Sequence, residues 1–179
     1  EDASLSFISS FPQASVTVHN LKIVNQQAFE GETFAEVKSI SFDMSVKELF
    51  KNESDDPIVV NSIQIEGAVL TIKSDEVGNK NYDIAKKTEE TSTENNSNFK
   101  LNIQDYAIRN SAVTYIDEVS NMVVNISAFN HSGRGDFSTD FSEINTTTEA
   151  LVSFSKDSTN YLINNSIKLD ALIAIDLAN

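Results

Sequence analysis

The stretch "SIKLDALIAIDLAN" (166–179) places an apolar residue at every second position. Ile167, Leu169, Ala171, Ile173, Ile175 and Leu177 fall on one side, with Lys168, Asp170 and Asp176 opposite. A period of two is that of a β-strand with one apolar and one solvated face. The same alternation recurs along the chain. In "SISFDMSV" (39–46), Ile40, Phe42, Met44 and Val46 share a face. In "NMVVNISAF" (121–129) the row is Met122, Val124, Ile126 and Ala128. In "TTEALVSFS" (147–155) it is Thr148, Ala150, Val152 and Phe154. Further strands are expected around 14–24, 58–65, 67–73, 99–108 and 111–117. In "ASVTVHNLKIV" (14–24) the apolar phase slips from Val16 and Val18 to Leu21 and Ile23, which predicts a bulge or bend near His19–Asn20. Helix is nearly absent. One turn is expected in "SVKELFKN" (45–52), where Val46, Leu49 and Phe50 have helical spacing and would plug the end of a sheet.

Composition narrows the function classes. The 179 residues carry a formal net charge of −14. Such a surface repels phosphate backbones, so nucleic acid is a poor partner and anionic headgroups are a poor docking surface. With no cysteine there are no disulfides, no thiol catalysis and no sulfur-ligated metal. No apolar run reaches the length of a membrane span. The opening "EDASLSFISSFPQASVTV" (1–18) runs straight into strand-like sequence, as expected of a piece of a longer protein whose preceding segment carries an anchor. The polar stretch "KKTEETSTENNSN" (86–98) reads as a mobile loop. It joins segments 1–85 and 99–179 of what reads as one β-rich region spanning 1–179.

One unit occurs twice. "IEGAVLTIKSDEVGN" (65–79) aligns with "IRNSAVTYIDEVSN" (108–121), matching Ile65 with Ile108, Leu70 with Val113, Thr71 with Thr114 and Ile72 with Tyr115. After one skipped residue, Asp75–Asn79 matches Asp117–Asn121. Each unit is a strand followed by an acidic turn. A calcium loop intersperses five or more oxygen ligands around an obligatory glycine, which "DEVGN" does not. The repeat reads as architecture, with solvated turns that discourage edge pairing.

Other chemistry is sparse. His19 and His131 are the only histidines and read as surface or turn residues. No G-x-S-x-G nucleophile elbow is present, and "GRGD" (133–136) reads as a glycine turn. The expectation is a protein that is not an enzyme and has no metal or cofactor.

Several stretches in order resemble the AsmA family. "SSFPQASVTVHNLKIVN" is similar to the family's opening F-P-x-x-S-V strand, and "FAEVKSISFDMSVKELF" to its alternating strand with a short Leu-rich turn. "VNSIQIEGAVLTI" followed by "GNKNYDI" resembles the family's strand and G-x-x-N-W-D elements, with Gly78, Asn81, Tyr82 and Asp83 in the matching places and Tyr for Trp. Ala68 stands where proline is common. "AIRNSAVTYIDEVSNMVVNI" is similar to the second Y-x-D strand and turn, and "HSGRGDFSTD" to a G-D-F/L-S segment.

The resemblance implies a long, twisted antiparallel sheet curved into an open groove or incomplete sandwich. It also implies a Gram-negative envelope protein facing the periplasm, tethered to the inner membrane by an N-terminal helix absent from this sequence. The family is implicated in outer-membrane assembly and phospholipid movement. The implied partners are lipid acyl chains, with envelope proteins as further ones. The expected lining of the groove or core is Ile40, Phe42, Met44, Val46, Ile65, Ile72, Met122, Val124, Ile126, Val152, Phe154, Leu169 and Ile173. The rival reading is a structural or adhesion-type β-sandwich with 129–143 as its contact surface. A sealed core would favour that rival. An enzyme acting on envelope polymers is a third reading, without carboxylates at an interpretable spacing to support it.

Overall fold

Alternation at period two leaves each segment with one face to bury and main-chain groups to pair, and the chain meets both needs with a single sheet. A computed structural model describes residues 2–6, 12–51, 59–83, 103–135 and 141–176. Its strands are β1 (Asp2–Ser6), β2 (Gln13–Val24), β3 (Thr33–Ser45), β4 (Ser62–Ser74), β5 (Asp105–Asp117), β6 (Met122–Arg134), β7 (Phe141–Lys156) and β8 (Thr159–Asp176). Among the described residues they form one eight-stranded sheet in sequence order, with β1 and β8 as its outermost strands. The sheet is therefore open, mainly β as expected, and not closed into a barrel. Among the described residues no second sheet packs on it.

One pairing corrects the expectation of an antiparallel sheet. β4 and β5 run parallel, so the sheet is mixed. A parallel neighbour requires the chain to return along the full strand length, and residues 75–104 make that return. The expected loop 86–98 lies outside the described residues. The parallel register pairs Ile65 with Ile108, Leu70 with Val113, Thr71 with Thr114 and Ile72 with Tyr115. The two copies of the repeated unit thus lie side by side, in the alignment that their sequences give.

The expected phase slip has a common cause across the sheet. Left-handed residues sit inside five strands: Asn20 (φ 54°) in β2, Gly67 (φ 63°) in β4, Asn110 (φ 49°) in β5, Ala128 (φ 47°) in β6 and Asn164 (φ 50°) in β8. At Asn20, Gly67 and Ala128 the apolar row skips two residues instead of one. Val18 is followed by Leu21, Ile65 by Ala68 and Ile126 by Phe129. A left-handed residue interrupts the pleat, so the residues after it return to the face they would otherwise leave. Glycine and asparagine tolerate this geometry; Ala128 pays a steric penalty of about 1–2 kcal/mol. The kinks also correct the strand boundaries. Segments 58–65 and 67–73 are one strand, β4, as 99–108 and 111–117 are largely one strand, β5.

The expected turn forms as a 3-10 helix, Val46–Phe50, with Ser45 as its N-cap. It does not plug the sheet: none of its residues is buried and Phe50 is exposed. Val46 therefore leaves the row of Ile40, Phe42 and Met44. Glu48 ties this turn to the next segment by accepting from Val59 N–H at 2.8 Å and pairing with Lys51 at 2.7 Å. Large fully buried side chains are scarce; among the described residues they are Val60 and Ile144, each 1% exposed.

Candidate functional site

In a sheet, residues in register across neighbouring strands share a face and touch, so the pairing turns separate strand rows into a continuous surface. Val16, Phe42, Ile63 and Tyr106 are successive partners from β2 to β5, and the line continues through Gly133, Thr146 and Ala171. Beside it run Val18, Ile40, Ile65, Ile108, His131, Thr148 and Leu169. Beyond the kinks the lines are Ile23–Ala35–Leu70–Val113–Ile126–Val152 and Ile72–Tyr115–Val124–Phe154–Leu162.

The sequence-derived residues thus fall into these lines with few exceptions. Ile40, Ile65 and Leu169 share one, while Phe42 lies in the next. Ile126 and Val152 are partners, as are Val124 and Phe154, and Ile72 joins the latter line. Ile173 pairs with Ile144, and Met44 with Ala14. Met122 sits at the end of the face between Asp117 and Lys156. Val46 is outside it. Exposure rises sharply toward β8: Ile144 is 1% exposed, whereas Ile173 beside it is 42% and Leu169 is 56%.

A polar cluster interrupts the apolar surface, and sequence reasoning missed it. His131 lies inside β6 rather than in a turn. Tyr106 Oη and His131 Nε2 are 2.8 Å apart, and His131 Nδ1 lies 2.8 Å from Thr148 Oγ1. The Phe129 ring stacks on His131 at 5.9 Å. Room for Tyr106 comes from Gly133, where a Cβ would lie 2.4 Å from the tyrosine ring. The signal for this cluster is the shared parity of Phe129, His131 and Gly133, which places the histidine in strand phase. Burial pushes the His131 pKa down and the Tyr106 pKa up. A neutral ring satisfies both contacts, one nitrogen donating and the other accepting. A shallow depression of about 210 Å³ opens beside His131, bordered by Arg109, Asn130 and Glu149.

The depressed histidine sets a pH dependence. The unfolded chain takes up a proton near the ordinary histidine pKa of about 6.5, while folded His131 resists it. Its contribution is therefore complete above about pH 6.5 and falls as pH drops through the lower folded pKa. Thermal unfolding followed from pH 7 to 5 should show a declining midpoint, and His131→Gln should flatten that slope.

The repeated acidic turns hold their carboxylates by local bonds. Asp75 accepts from the N–H groups of Val77 and Asn79 and from the Asn79 side chain, at 2.7–3.0 Å. Asp117 accepts from Val119 N–H, Ser120 N–H and Ser120 Oγ. At Asp75 partial desolvation works upward, but the hydrogen bonds outweigh it and its pKa lies below the ordinary value. At Asp117 the Ser120 hydroxyl dominates and the shift is again downward. Both are self-contained turns. Near them Lys73, at the end of β4, bridges Glu32 at 3.4 Å and Glu118 at 3.3 Å, tying the loops that carry them to the strand. Asn81 completes that end of β4: its Oδ1 accepts from Lys73 N–H and its Nδ2 donates to Thr71 O, both at 2.7 Å.

Among the described residues no three histidine, aspartate or glutamate side chains converge as a metal site, and no helix is long and apolar enough to cross a membrane. What the geometry offers chemically is an extended apolar face with one polar cluster. No curated protein matches the chain. The family model described as AsmA family matches residues 7–174.

Proposed function

The chain belongs to the AsmA family, and on that premise we propose that its open apolar sheet face shields phospholipid acyl chains, as part of a non-enzymatic envelope module. At family level the chain is an envelope-assembly and lipid-transport type of module. Phospholipid as the cargo, the periplasmic location, the inner-membrane tether and the role in outer-membrane assembly belong to this proposal.

One observation carries it. A single-layer sheet displays aligned apolar lines and leaves large side chains of equal parity in β8, Ile167, Leu169 and Ile173, between 41% and 56% exposed. Each Å² of such surface that a guest covers is stabilising by roughly 25 cal/mol, and a line of similar side chains spreads that gain evenly enough for chains to slide. No nucleophile, acid or metal is needed for that task. The rival reading as a sealed β-sandwich is weakened by the same observation, because one sheet has no opposing layer.

The test is native mass spectrometry of protein purified in the presence of phosphatidylethanolamine vesicles. Phospholipid should remain bound to the native protein. The double variant Leu169→Glu/Ile173→Glu, altered at exposed positions, should keep its circular dichroism and lose the lipid. A native protein that retains no lipid overturns the proposal.

A further inference from the structure

Two of the cross-strand lines change character near β5 and β6. Val16, Phe42 and Ile63 lead to Tyr106, Gly133 and Thr146. Beside them Val18, Ile40, Ile65 and Ile108 lead to His131 and Thr148. Beyond the kinks the lines stay apolar through β7, where Ile126 meets Val152 and Val124 meets Phe154. The polar side chains therefore form one enclave in the face, bordered by Ile108 on β5 and Phe129 on β6. No lysine, arginine, aspartate or glutamate stands in either line.

The enclave keeps hydrogen-bonding capacity at Thr148. With its proton on Nδ1, His131 donates to Thr148 Oγ1 and accepts from the Tyr106 hydroxyl, which leaves the Thr148 hydrogen for a guest. With the proton on Nε2, Thr148 donates to the ring and keeps lone pairs for a guest. Thr148 thus answers an acceptor or a donor, and offers no charge. Both His131 and Thr148 are half-buried, so the group that meets them stands on the apolar face itself. A plain alkyl chain laid there strips water from the hydroxyl and returns nothing, whereas an oxygen restores the bond.

We propose that Tyr106, His131 and Thr148 form a subsite for an uncharged oxygen carried on an alkyl chain, with Thr148 as the group that meets it. This rests on the reading of the face as a lipid surface, and adds the point at which a lipid comes to rest. Neighbouring strands lie about 4.8 Å apart, so the apolar line from Val18 to Ile108 spans roughly 14 Å. One leaflet's chains fill about half of a hydrocarbon core of about 30 Å. A chain laid along that line from β2 brings its ester carbonyl to His131 and Thr148. A hydroxyl on the chain offers the same chemistry at another depth.

The test is competition for the full chain among three phosphatidylethanolamines in mixed vesicles, read by native mass spectrometry. The first has plain ester-linked chains. The second is its ether-linked analogue, without carbonyls, and the third is that ether lipid with a hydroxyl on one chain. One net hydrogen bond corresponds to about two- to tenfold in affinity, so the ester lipid should be bound in that excess over the plain ether lipid. Thr148→Val keeps the branched shape that a strand favours and should abolish the preference, whereas Thr148→Ser keeps the hydroxyl and should retain it. A preference for the hydroxylated ether lipid, lost in Thr148→Val, supports the subsite and assigns it to a chain hydroxyl. Equal retention of all three lipids, or a preference that Thr148→Val leaves unchanged, overturns the subsite while the lipid reading stands. Retention of none overturns both.

Discussion

Ile144→Ala should lower the free energy of unfolding by about 2–5 kcal/mol, the range for removing a buried isoleucine and leaving a cavity, measured by urea denaturation. Ile144 is 1% exposed. The backbone of Gly135 approaches so closely that a Cβ there would lie 3.1 Å from Ile144 Cγ1 and 2.7 Å from Glu143 O. β7 is held on both sides by ladders to β6 and β8, so the backbone cannot collapse into the void. Ile173, its cross-strand partner, is 42% exposed. Ile173→Ala removes the same atoms from a half-wet site and should cost about 1 kcal/mol. A large difference between two isoleucines in contact is the signature of a face sealed at one line and open at the next. Equal losses would mean that Ile173 is covered in solution.

Asn81→Ala should cost about 2–4 kcal/mol, comparable to a core deletion although no hydrophobic contact is lost. Asn81 is 5% exposed, and its carboxamide satisfies both Lys73 N–H and Thr71 O at 2.7 Å. Alanine leaves a main-chain donor and an acceptor without partners, each costing about 1–3 kcal/mol where water cannot reach. Asn81→Asp keeps the acceptor for Lys73 and loses the donor to Thr71, so its cost should be intermediate. An alanine variant as stable as the native protein would mean that water replaces the side chain. The order Asn, Asp, Ala in urea midpoints separates these cases. The result also gives a physical role to an element that resembles a family motif: "GNKNYD" is a strand-end clamp, with Gly78 in the left-handed turn (φ 86°) and Asn81 as the side chain that substitutes for a missing strand.

Much of the fold was legible because strand alternation is a local property. The parity of Ile40, Phe42 and Met44, or of Val124 and Ile126, follows from covalent geometry and from which side chains water rejects. The slip between Val18 and Leu21 was legible for the same reason, and its cause is Asn20 at φ 54°. The same slip hid the continuity of β4 and β5, because a kinked long strand and two short strands have the same pattern of residues. His131 was read as a surface or turn residue because the parity it shares with Phe129 and Gly133 is a faint signal, carried by only one large apolar side chain. Its place became visible only once Tyr106 and Thr148 were brought beside it from 25 and 17 residues away.

Residue order alone therefore decided that this chain is a ribbon of strands with one apolar row each, and which side chains form most of those rows, Val46 and Ala128 excepted. Folding in three dimensions decided that β4 and β5 run parallel, which lines the two repeats up side by side. Pairing between strands depends on main-chain groups, which are chemically alike at every position except proline. The choice of neighbour is consequently made by long-range closure of the sheet, and no local pattern encodes it.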